Sequence, residues 1–242
     1  MNATNKPRVL LFIEKEVGDL VFEKIYSNPS LEIVGVVTNK SKANWWGSNR
    51  IWETIKASRS TLLLAAEDRL TMDDVSSIVD LDFDVLLSIQ YRWRIPIEIL
   101  DRCDLKFNLH LSPLPYYQGH SVFAHAILDD CKFYGVTLHE LTPEFDRGRI
   151  LYQELFLVSE SETAFSLYEK SVRLGVDLVQ RFVSNLLNGK RIVLTPQIEG
   201  GAFYDKHSLN ERLKTLESQG QNSELLSRAL YFPKVQEYLK NL

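Results

Sequence analysis

Short, almost uninterrupted apolar runs alternate with amphipathic stretches along the first half of the chain. The runs predict β-strands at Arg8–Ile13, Glu32–Val37, Ser60–Leu64, Asp84–Ile89 and Leu105–Leu109. The stretches between them predict helices at Gly18–Ser27, Asn49–Ser58, Thr71–Val79 and Pro96–Asp101. Strands that are apolar on both faces and separated by helices are typical of a parallel sheet with helices on both sides. The pattern therefore predicts an α/β fold with a doubly wound, mostly parallel sheet.

The second half of the chain predicts two more strands and one long helix. The strands are expected at Tyr134–Leu141 and Ile150–Val158, and the helix at Thr163–Leu187. Apolar residues recur along this helix at the spacing of one helical face, and Asn188-Gly189 supplies a stop signal. Beyond the helix the pattern weakens. We therefore expect a main domain over residues 1–190 and a small C-terminal element over residues 191–242.

Composition and charge narrow the classes of partner. Of the 242 residues, 45% are hydrophobic and 25% are charged, as expected of a domain with a real core. A net charge of -4 disfavours a general nucleic-acid-binding face. The apolar run Val9–Ile13 is too short for a signal peptide, and no apolar stretch approaches the length of a membrane span. We therefore expect a cytoplasmic protein that binds neither nucleic acid nor a membrane.

Cysteine usage and the first turn exclude two further classes. Cys103 and Cys131 are too few for a disulfide framework or a zinc site, so no metal is expected. The first strand is followed by Glu14–Gly18 and not by the glycine-rich G-x-G-x-x-G turn that holds a dinucleotide. A dinucleotide cofactor is therefore not expected.

The most informative segment follows the strand Leu105–Leu109. Its two prolines, Pro113 and Pro115, exclude a helix, so a loop stands where sites of such sheets form. Side chains two apart share a strand face, so Asn108 and His110 can point into one site. A carboxamide donor beside a titratable imidazole suits stabilising an oxyanion while a proton moves. Alternatively, Asn108 caps the loop and His110 is a satisfied buried histidine.

A carboxylate further along the chain is the third candidate. Asp146 stands two residues before Gly148 in an expected tight turn. One interpretation is a turn aspartate that bonds to its own backbone. The functional interpretation is a carboxylate that holds and polarises His110.

Together these segments resemble the folate-dependent formyltransferase family. That family's pattern is N-x-H-x-S-x-L-P-x-x-x-G, followed by V-T-x-H and D-x-G-x-I, and the match covers about residues 8–190. It stands here as Asn108, His110, Ser112, Leu114-Pro115 and Gly119, then Val136-Thr137 and His139, then Asp146, Gly148 and Ile150. One departure is Leu111, where many members have proline. The resemblance implies a Rossmann-like formyltransferase fold.

The resemblance also implies a co-substrate and a set of roles. The formyl donor would be N10-formyltetrahydrofolate, with no metal involved. Asn108 would donate to the formyl oxygen as it becomes an oxyanion, and His110 would assist there and in proton transfer. Asp146 would orient the histidine and accept or relay the amine proton. The residues expected to bind the co-substrate are Gln90, Tyr91, Arg92, Trp93, Glu144 and Asp146.

Three acceptor amines compete: initiator methionyl-tRNA, glycinamide ribonucleotide and a nucleotide-linked amino sugar. The tRNA enzymes carry a basic C-terminal domain, whereas residues 201–242 hold six Lys and Arg against five Asp and Glu. The purine enzymes have an early glycine-rich phosphate loop that is missing here. Ser88–Tyr91 and Arg228–Pro233 are instead similar to sugar N-formyltransferases. That resemblance implies a dTDP-linked, or sometimes GDP-linked, amino sugar for lipopolysaccharide O-antigen.

Within this class the expected acceptor is a 3- or 4-amino-4,6-dideoxyhexose, with a slight preference for dTDP-4-amino-4,6-dideoxyglucose. Expected substrate contacts are Tyr116, Tyr117, Gln118, Tyr204 and Lys206, with Tyr204 stacking on the base. The alternative for Tyr204 is a strand aromatic without ligand. The C-terminal element would complete the nucleotide site and form the interface of a homodimer. A catalytically silent binding module with the same fold is the remaining alternative.

Overall fold

The computed structural model describes residues 6–38, 51, 54–55, 61–65, 69–220 and 223–233. Within these ranges one seven-stranded sheet has the order β3-β2-β1-β4-β5-β7-β8, and β6 pairs with β9 separately. The strands are β1 Arg8–Ile13, β2 Glu32–Thr38, β3 Leu62–Ala65, β4 Val85–Ile89, β5 Leu105–His110, β6 Gln118–Gly119, β7 Phe133–Glu140, β8 Ile150–Leu157 and β9 Phe203–Tyr204.

The helices flank this sheet. They are α1 Lys15–Tyr26, α2 Met72–Val79, α3 Ile97–Leu100, α4 Val122–Leu128, α5 Ala164–Leu187, α6 Ser208–Ser218 and α7 Ser223–Leu230. The helix expected at Asn49–Ser58 lies mostly outside the described residues. The first helix begins at Lys15, three residues before the predicted start. Gly18 lies inside the helix, where a Cβ atom would come within 3.3 Å of the Ile13 side chain.

The sheet is mostly parallel, which confirms the predicted α/β fold class. β1 pairs in parallel with β2 and β4, and β4 with β5, whereas β7 and β8 run antiparallel to their neighbours. The chain leaves β1 towards β2 and later returns to β4 on the other side of β1. In open α/β sheets such a reversal of strand order opens a crevice at the carboxyl ends of the strands.

Burial on both faces explains the continuous apolar runs. Along β1, Leu11 belongs to the core beneath α1 and α5, whereas Leu10 and Phe12 belong to the core beneath α2 and α3. Phe107 of β5 packs against Phe182 of α5, with ring centroids 5.1 Å apart. The longest helix therefore supports the strand that carries Asn108 and His110.

The C-terminal residues pack against the main sheet's periphery. β9 pairs in parallel with β6, and Ala229 of α7 is buried in a third apolar cluster with Tyr134 and Leu167. The division of the chain at residues 190 and 191 stays a prediction. Of the helices in the described ranges, none has the length and apolar character needed to cross a bilayer.

Reciprocal hydrogen bonds fix the start of α5. The Thr163 hydroxyl accepts from the Ser166 N–H at 3.1 Å, and the Ser166 hydroxyl accepts from the Thr163 N–H at 2.9 Å. Replacing such a cap by alanine typically costs about 1 kcal/mol. We expect Thr163→Ala to lower the free energy of unfolding, measured in denaturant, by about that amount. Thr215→Ala on an exposed face of α6 is the control; equal stability of the two variants would contradict this reading.

Candidate active site

A cavity of about 200 Å³ opens where β1, β4 and β5 end. Lys15 at the start of α1 lines one side, and Asn108 and His110 of β5 form the floor. The segment 90–95 after β4 and the segment 141–146 after β7 complete the walls. The cavity thus occupies the edge of the sheet at which the strand order predicts a site.

The two candidate residues of β5 share one face of the strand, as predicted. Phe107 and Leu109 point into the apolar core, which turns Asn108 and His110 towards the cavity. His110 is buried, whereas Asn108 is partly exposed. Asp146 also lines the cavity, so the three residues predicted to be catalytic lie in one place.

The imidazole of His110 lies between a carbonyl group and a carboxylate. Its Nε2 is 2.9 Å from the Tyr117 carbonyl oxygen, and its Nδ1 is 3.5 Å from Oδ1 of Asp146. A carbonyl oxygen only accepts, so Nε2 carries a hydrogen and donates it. Nδ1 is therefore the nitrogen that can exchange a proton with the carboxylate or with a ligand.

Asp146 is a buried carboxylate with three polar neighbours. Its Oδ1 lies 3.5 Å from His110 Nδ1 and 3.6 Å from His139 Nε2, and its Oδ2 accepts from the Gly119 N–H at 3.0 Å. Burial alone would raise the pKa of Asp146, but the two histidines and the Gly119 N–H outweigh it and hold the pKa well below its usual range. The carboxylate thus stabilises the fold above about pH 4, and this contribution is lost on acidification.

His139 is a fourth polar residue of the site, and its sequence position alone predicted no role for it. In the register of β5 and β7 it stands directly opposite Asn108. Its Nδ1 donates to the Glu140 carbonyl oxygen at 2.9 Å, so Nε2 accepts from Nδ2 of Asn108 at 3.1 Å. This bond uses one of the two amide hydrogens of Asn108 and fixes the plane of the carboxamide.

The turn that presents Asp146 is held by its neighbours. Asp146 has a φ of 56°, in the left-handed region that costs a non-glycine residue about 1 kcal/mol or more. A side chain at Gly148 would collide with the carbonyl oxygen of Glu140, so the turn lies directly on β7. Gln197 donates to the carbonyl oxygens of Asp146 and Gly148 at 2.9 and 2.7 Å. Gln197, which lies beyond the long helix, therefore stabilises the turn that carries Asp146.

The proline-containing loop after β5 is fixed by Thr137. The buried hydroxyl donates to the Ser112 carbonyl oxygen at 2.7 Å and accepts from the Leu114 N–H at 3.1 Å. Gln153 donates to the same hydroxyl at 3.0 Å and to the Leu114 carbonyl oxygen at 2.8 Å. These bonds give the threonine of V-T-x-H a physical role.

All residues expected to bind the co-substrate line the cavity: Gln90, Tyr91, Arg92, Trp93, Glu144 and Asp146. The residues expected to bind the acceptor do not. Tyr116 and Tyr117 line a second cavity of about 480 Å³, because the loop held by Thr137 directs them to another side.

The other three expected acceptor contacts also lie outside the cavity lining. Gln118 is buried, and Lys206 is exposed. One face of the Tyr204 ring is occupied by His125, with ring centroids 3.7 Å apart. Phe203, its neighbour in β9, lines the cavity instead. Acceptor binding by Tyr116, Tyr117, Gln118, Tyr204 and Lys206 stays a prediction.

Among the basic residues of the cavity, Lys15, Arg94 and His120 were not identified from the sequence. Lys15 lies at the end of β1, and burial, its largest influence, lowers the pKa of its ammonium to about 8. His120 follows β6, and burial lowers its pKa too, with a further contribution from Lys15. The position of Lys15 two residues after a buried strand was the available signal. Among the described residues, no group of three His, Cys, Asp or Glu side chains is arranged to hold a metal ion.

Comparison with known proteins identifies the family. The profile of the formyl transferase family matches residues 8–183, so the chain belongs to that family. A methionyl-tRNA formyltransferase of Fervidobacterium nodosum is 28% identical over 174 residues, which are 71% of this chain and 54% of the relative. The chain thus spans about half the length of the curated relatives it matches.

Solved structures share the fold at low sequence identity. An N-formyltransferase from Helicobacter canadensis, in complex with folinic acid and dTDP-3-aminofucose, has a TM-score of 0.73 at 19% identity, over 96% of this chain and 82% of its own. A 4-N formyltransferase from Francisella tularensis has a TM-score of 0.71 at 18% identity, over 94% of this chain and 89% of its own.

Removing the Thr137 hydroxyl tests the role of this bond network. Thr137→Val keeps the side-chain shape but leaves the Leu114 N–H and the Ser112 carbonyl without this partner. An unpaired buried polar group costs about 1–3 kcal/mol, so we expect a loss of roughly 2–4 kcal/mol in the free energy of unfolding. Chemical denaturation measures it, with Thr215→Val as the exposed control. Equal stability of Thr137→Val and the wild type would contradict the assignment.

Proposed function

We propose that this protein is an enzyme that transfers the formyl group of N10-formyltetrahydrofolate to the amine of a nucleotide-linked amino sugar. The observation that carries the proposal is the convergence of Asn108, His110 and Asp146 in one cavity of a formyl transferase family member. All the residues expected to bind the co-substrate line the same cavity.

The proposed reaction is direct transfer without a covalent enzyme intermediate. The neutral amine attacks the formyl carbon, and the carbonyl oxygen becomes an oxyanion. The free N–H of the Asn108 carboxamide donates to that oxygen, with the His110 ring beside it. The amine loses a proton to His110 or Asp146, the bond from the formyl carbon to N10 breaks, and N10 of tetrahydrofolate takes up a proton. Donors placed before the charge develops stabilise this transition state without reorganisation.

Asp146 is suited to a role through His110. Its pKa lies well below its usual range, so the carboxylate is ionised throughout the neutral pH range. Its Oδ1 lies on the Nδ1 side of the imidazole, 3.5 Å away. A negative charge there stabilises the imidazolium that forms if His110 takes the amine proton. We therefore assign Asp146 to orienting His110 and relaying the proton.

For the acceptor we propose a dTDP-linked 3- or 4-amino-4,6-dideoxyhexose, with a slight preference for dTDP-4-amino-4,6-dideoxyglucose, used for O-antigen synthesis. Neighbours in fold include a protein bound to dTDP-3-aminofucose and a 4-N formyltransferase, so both amino positions are represented. The balanced charge of residues 201–242 argues in the same direction, because phosphate contacts dominate nucleic-acid affinity. We also propose a homodimer that uses residues 191–242.

The second candidate acceptor is initiator methionyl-tRNA. It is favoured by the curated relatives, which include methionyl-tRNA formyltransferases at 28% and 26% identity. Glycinamide ribonucleotide is less well supported, because Glu14–Gly18 provides no glycine-rich phosphate loop. A silent binding module is disfavoured by the intact arrangement of Asn108, His110 and Asp146.

A panel of acceptors tests the proposal. The purified protein is incubated with N10-formyltetrahydrofolate and separately with dTDP-linked and GDP-linked 3- and 4-amino sugars, glycinamide ribonucleotide and charged initiator tRNA. We expect a formyl mass gain on a dTDP-amino sugar and tetrahydrofolate release only with that acceptor. Formylation of the tRNA at a rivalling rate would overturn the choice of acceptor, and no transfer to any amine would overturn the proposed activity.

Substituting the carboxylate tests the catalytic roles. Asp146→Asn keeps the size but removes the charge that favours an imidazolium at His110. We expect turnover to fall by about 10²-fold or more, with only a modest change in nucleotide-sugar affinity, because the loss falls on the transition state. Asn108→Ala and His110→Ala should each lose about 10²–10³-fold. Steady-state rates and calorimetric titration measure both quantities, with Asp177→Asn on an exposed face of α5 as the control. A variant that kept its rate and lost sugar binding would make Asp146 a structural turn residue.

A further inference from the structure

A buried carboxylate behind the cavity has no part in the proposed chemistry. Glu14 directly follows β1, and its side chain is fully buried. Its Oε2 accepts from Nε of Arg92 at 2.8 Å, whereas among the described residues its Oε1 has no hydrogen-bond partner. Burial raises the pKa of Glu14, and Arg92 opposes this effect. An ion pair that requires the burial of a carboxylate is weak evidence for a role in stability, so the placement of Glu14 calls for another explanation.

The ion pair is one of three contacts between the end of β1 and the segment Gln90–Trp93, which we call the co-substrate loop. Lys15 donates from Nζ to Oε1 of Gln90 at 3.1 Å. The rings of Phe12 and Tyr91 meet edge to face, with centroids 5.1 Å apart. Three successive residues of the loop are therefore each held from the β1–α1 junction.

The co-substrate loop needs such support. Gln90 has a φ of 56°, a left-handed conformation that an L-residue keeps only when its surroundings enforce it. The side chain of Arg92 is 40% exposed, so without its partner it can turn into solvent and release the loop. A binding site built on a loop has to be held within about 0.5 Å of its productive geometry.

We propose that Glu14 is a positioning residue whose carboxylate, through Arg92, holds the co-substrate loop in the conformation that binds the folate. This inference rests on the proposed function, because it takes a reduced folate to be the ligand of the loop. Glu14 itself does not line the cavity, so it acts through Arg92 and not by contact with the ligand. Lys15 binds Gln90 and Phe12 packs on Tyr91, whereas Arg92 is held by Glu14.

Direct binding of 5-formyltetrahydrofolate to the purified full chain tests the proposal. Glu14→Gln keeps the size of the side chain but removes the charge that fixes Arg92. We expect the Kd for this folate to rise about tenfold and the KM for N10-formyltetrahydrofolate to rise in parallel. The value of kcat at saturating folate and the affinity for the nucleotide sugar should stay within about twofold of wild type.

Glu162→Gln is the matched control. Glu162 is also a buried carboxylate, and it pairs with Lys170 at the start of α5, outside the cavity lining. It should lower the unfolding temperature without changing the Kd for folate. If Glu14→Gln likewise loses stability but binds folate as the wild type does, Glu14 is only structural and the proposal is wrong. If the wild type itself fails to bind 5-formyltetrahydrofolate, the proposed function fails instead.

A double variant keeps the test decisive if Glu14→Gln folds poorly. Glu14→Gln combined with Arg92→Gln removes both charges, so no ion is left unpaired in the interior. We expect the unfolding temperature to return towards the wild-type value. Folate affinity should equal that of Arg92→Gln alone, because Glu14 acts only through Arg92. Recovery of folate affinity together with stability would overturn the positioning role.

Discussion

The buried, ionised carboxylate of Asp146 is the constraint on which the site depends. A charge in the interior is tolerated only when it is paired and hydrogen-bonded. Here the Gly119 N–H donates to the carboxylate, and the imidazole of His110 can pair with it when Nδ1 is protonated. Elements that are distant in sequence therefore meet at Asp146. β5 supplies His110, β7 supplies His139, and Gln197 from beyond the long helix braces the turn itself. Contacts within the protein itself thus position the charge.

A second buried carboxylate is paired in the same way on the other side of the cavity. Glu14 is buried at the end of β1 and is paired with Arg92, while Lys15 binds Gln90. The place where related sheets hold a phosphate in a glycine-rich turn is occupied here by charged side chains that hold a neighbouring loop. A buried carboxylate is therefore found on each side of the cavity: Asp146 beside His110, and Glu14 behind the proposed folate site.

Much of this arrangement could be predicted, because it depends on the spacing of apolar and polar residues that are close in sequence. Apolar runs predicted the seven strands of the main sheet to within two residues, whereas the two-residue strands β6 and β9 were not predicted. Alternation placed Asn108 and His110 on one face. The position of Tyr116 and Tyr117 outside the first cavity could not be predicted. The loop that precedes them is fixed by bonds to Thr137, which lies more than twenty residues further along the chain. The place of His139 opposite Asn108 likewise depends on an antiparallel register that no local signal encodes.

The central claim is that Asp146 acts on the reaction through His110. A double-mutant cycle on formyl transfer, with His110→Ala, Asp146→Asn and their combination, tests it most directly. If the carboxylate works through the imidazole, the double variant will be no slower than the slower single variant, because the second substitution removes an interaction already lost. Losses that add on the free-energy scale would show that the two residues act independently, and would contradict the account.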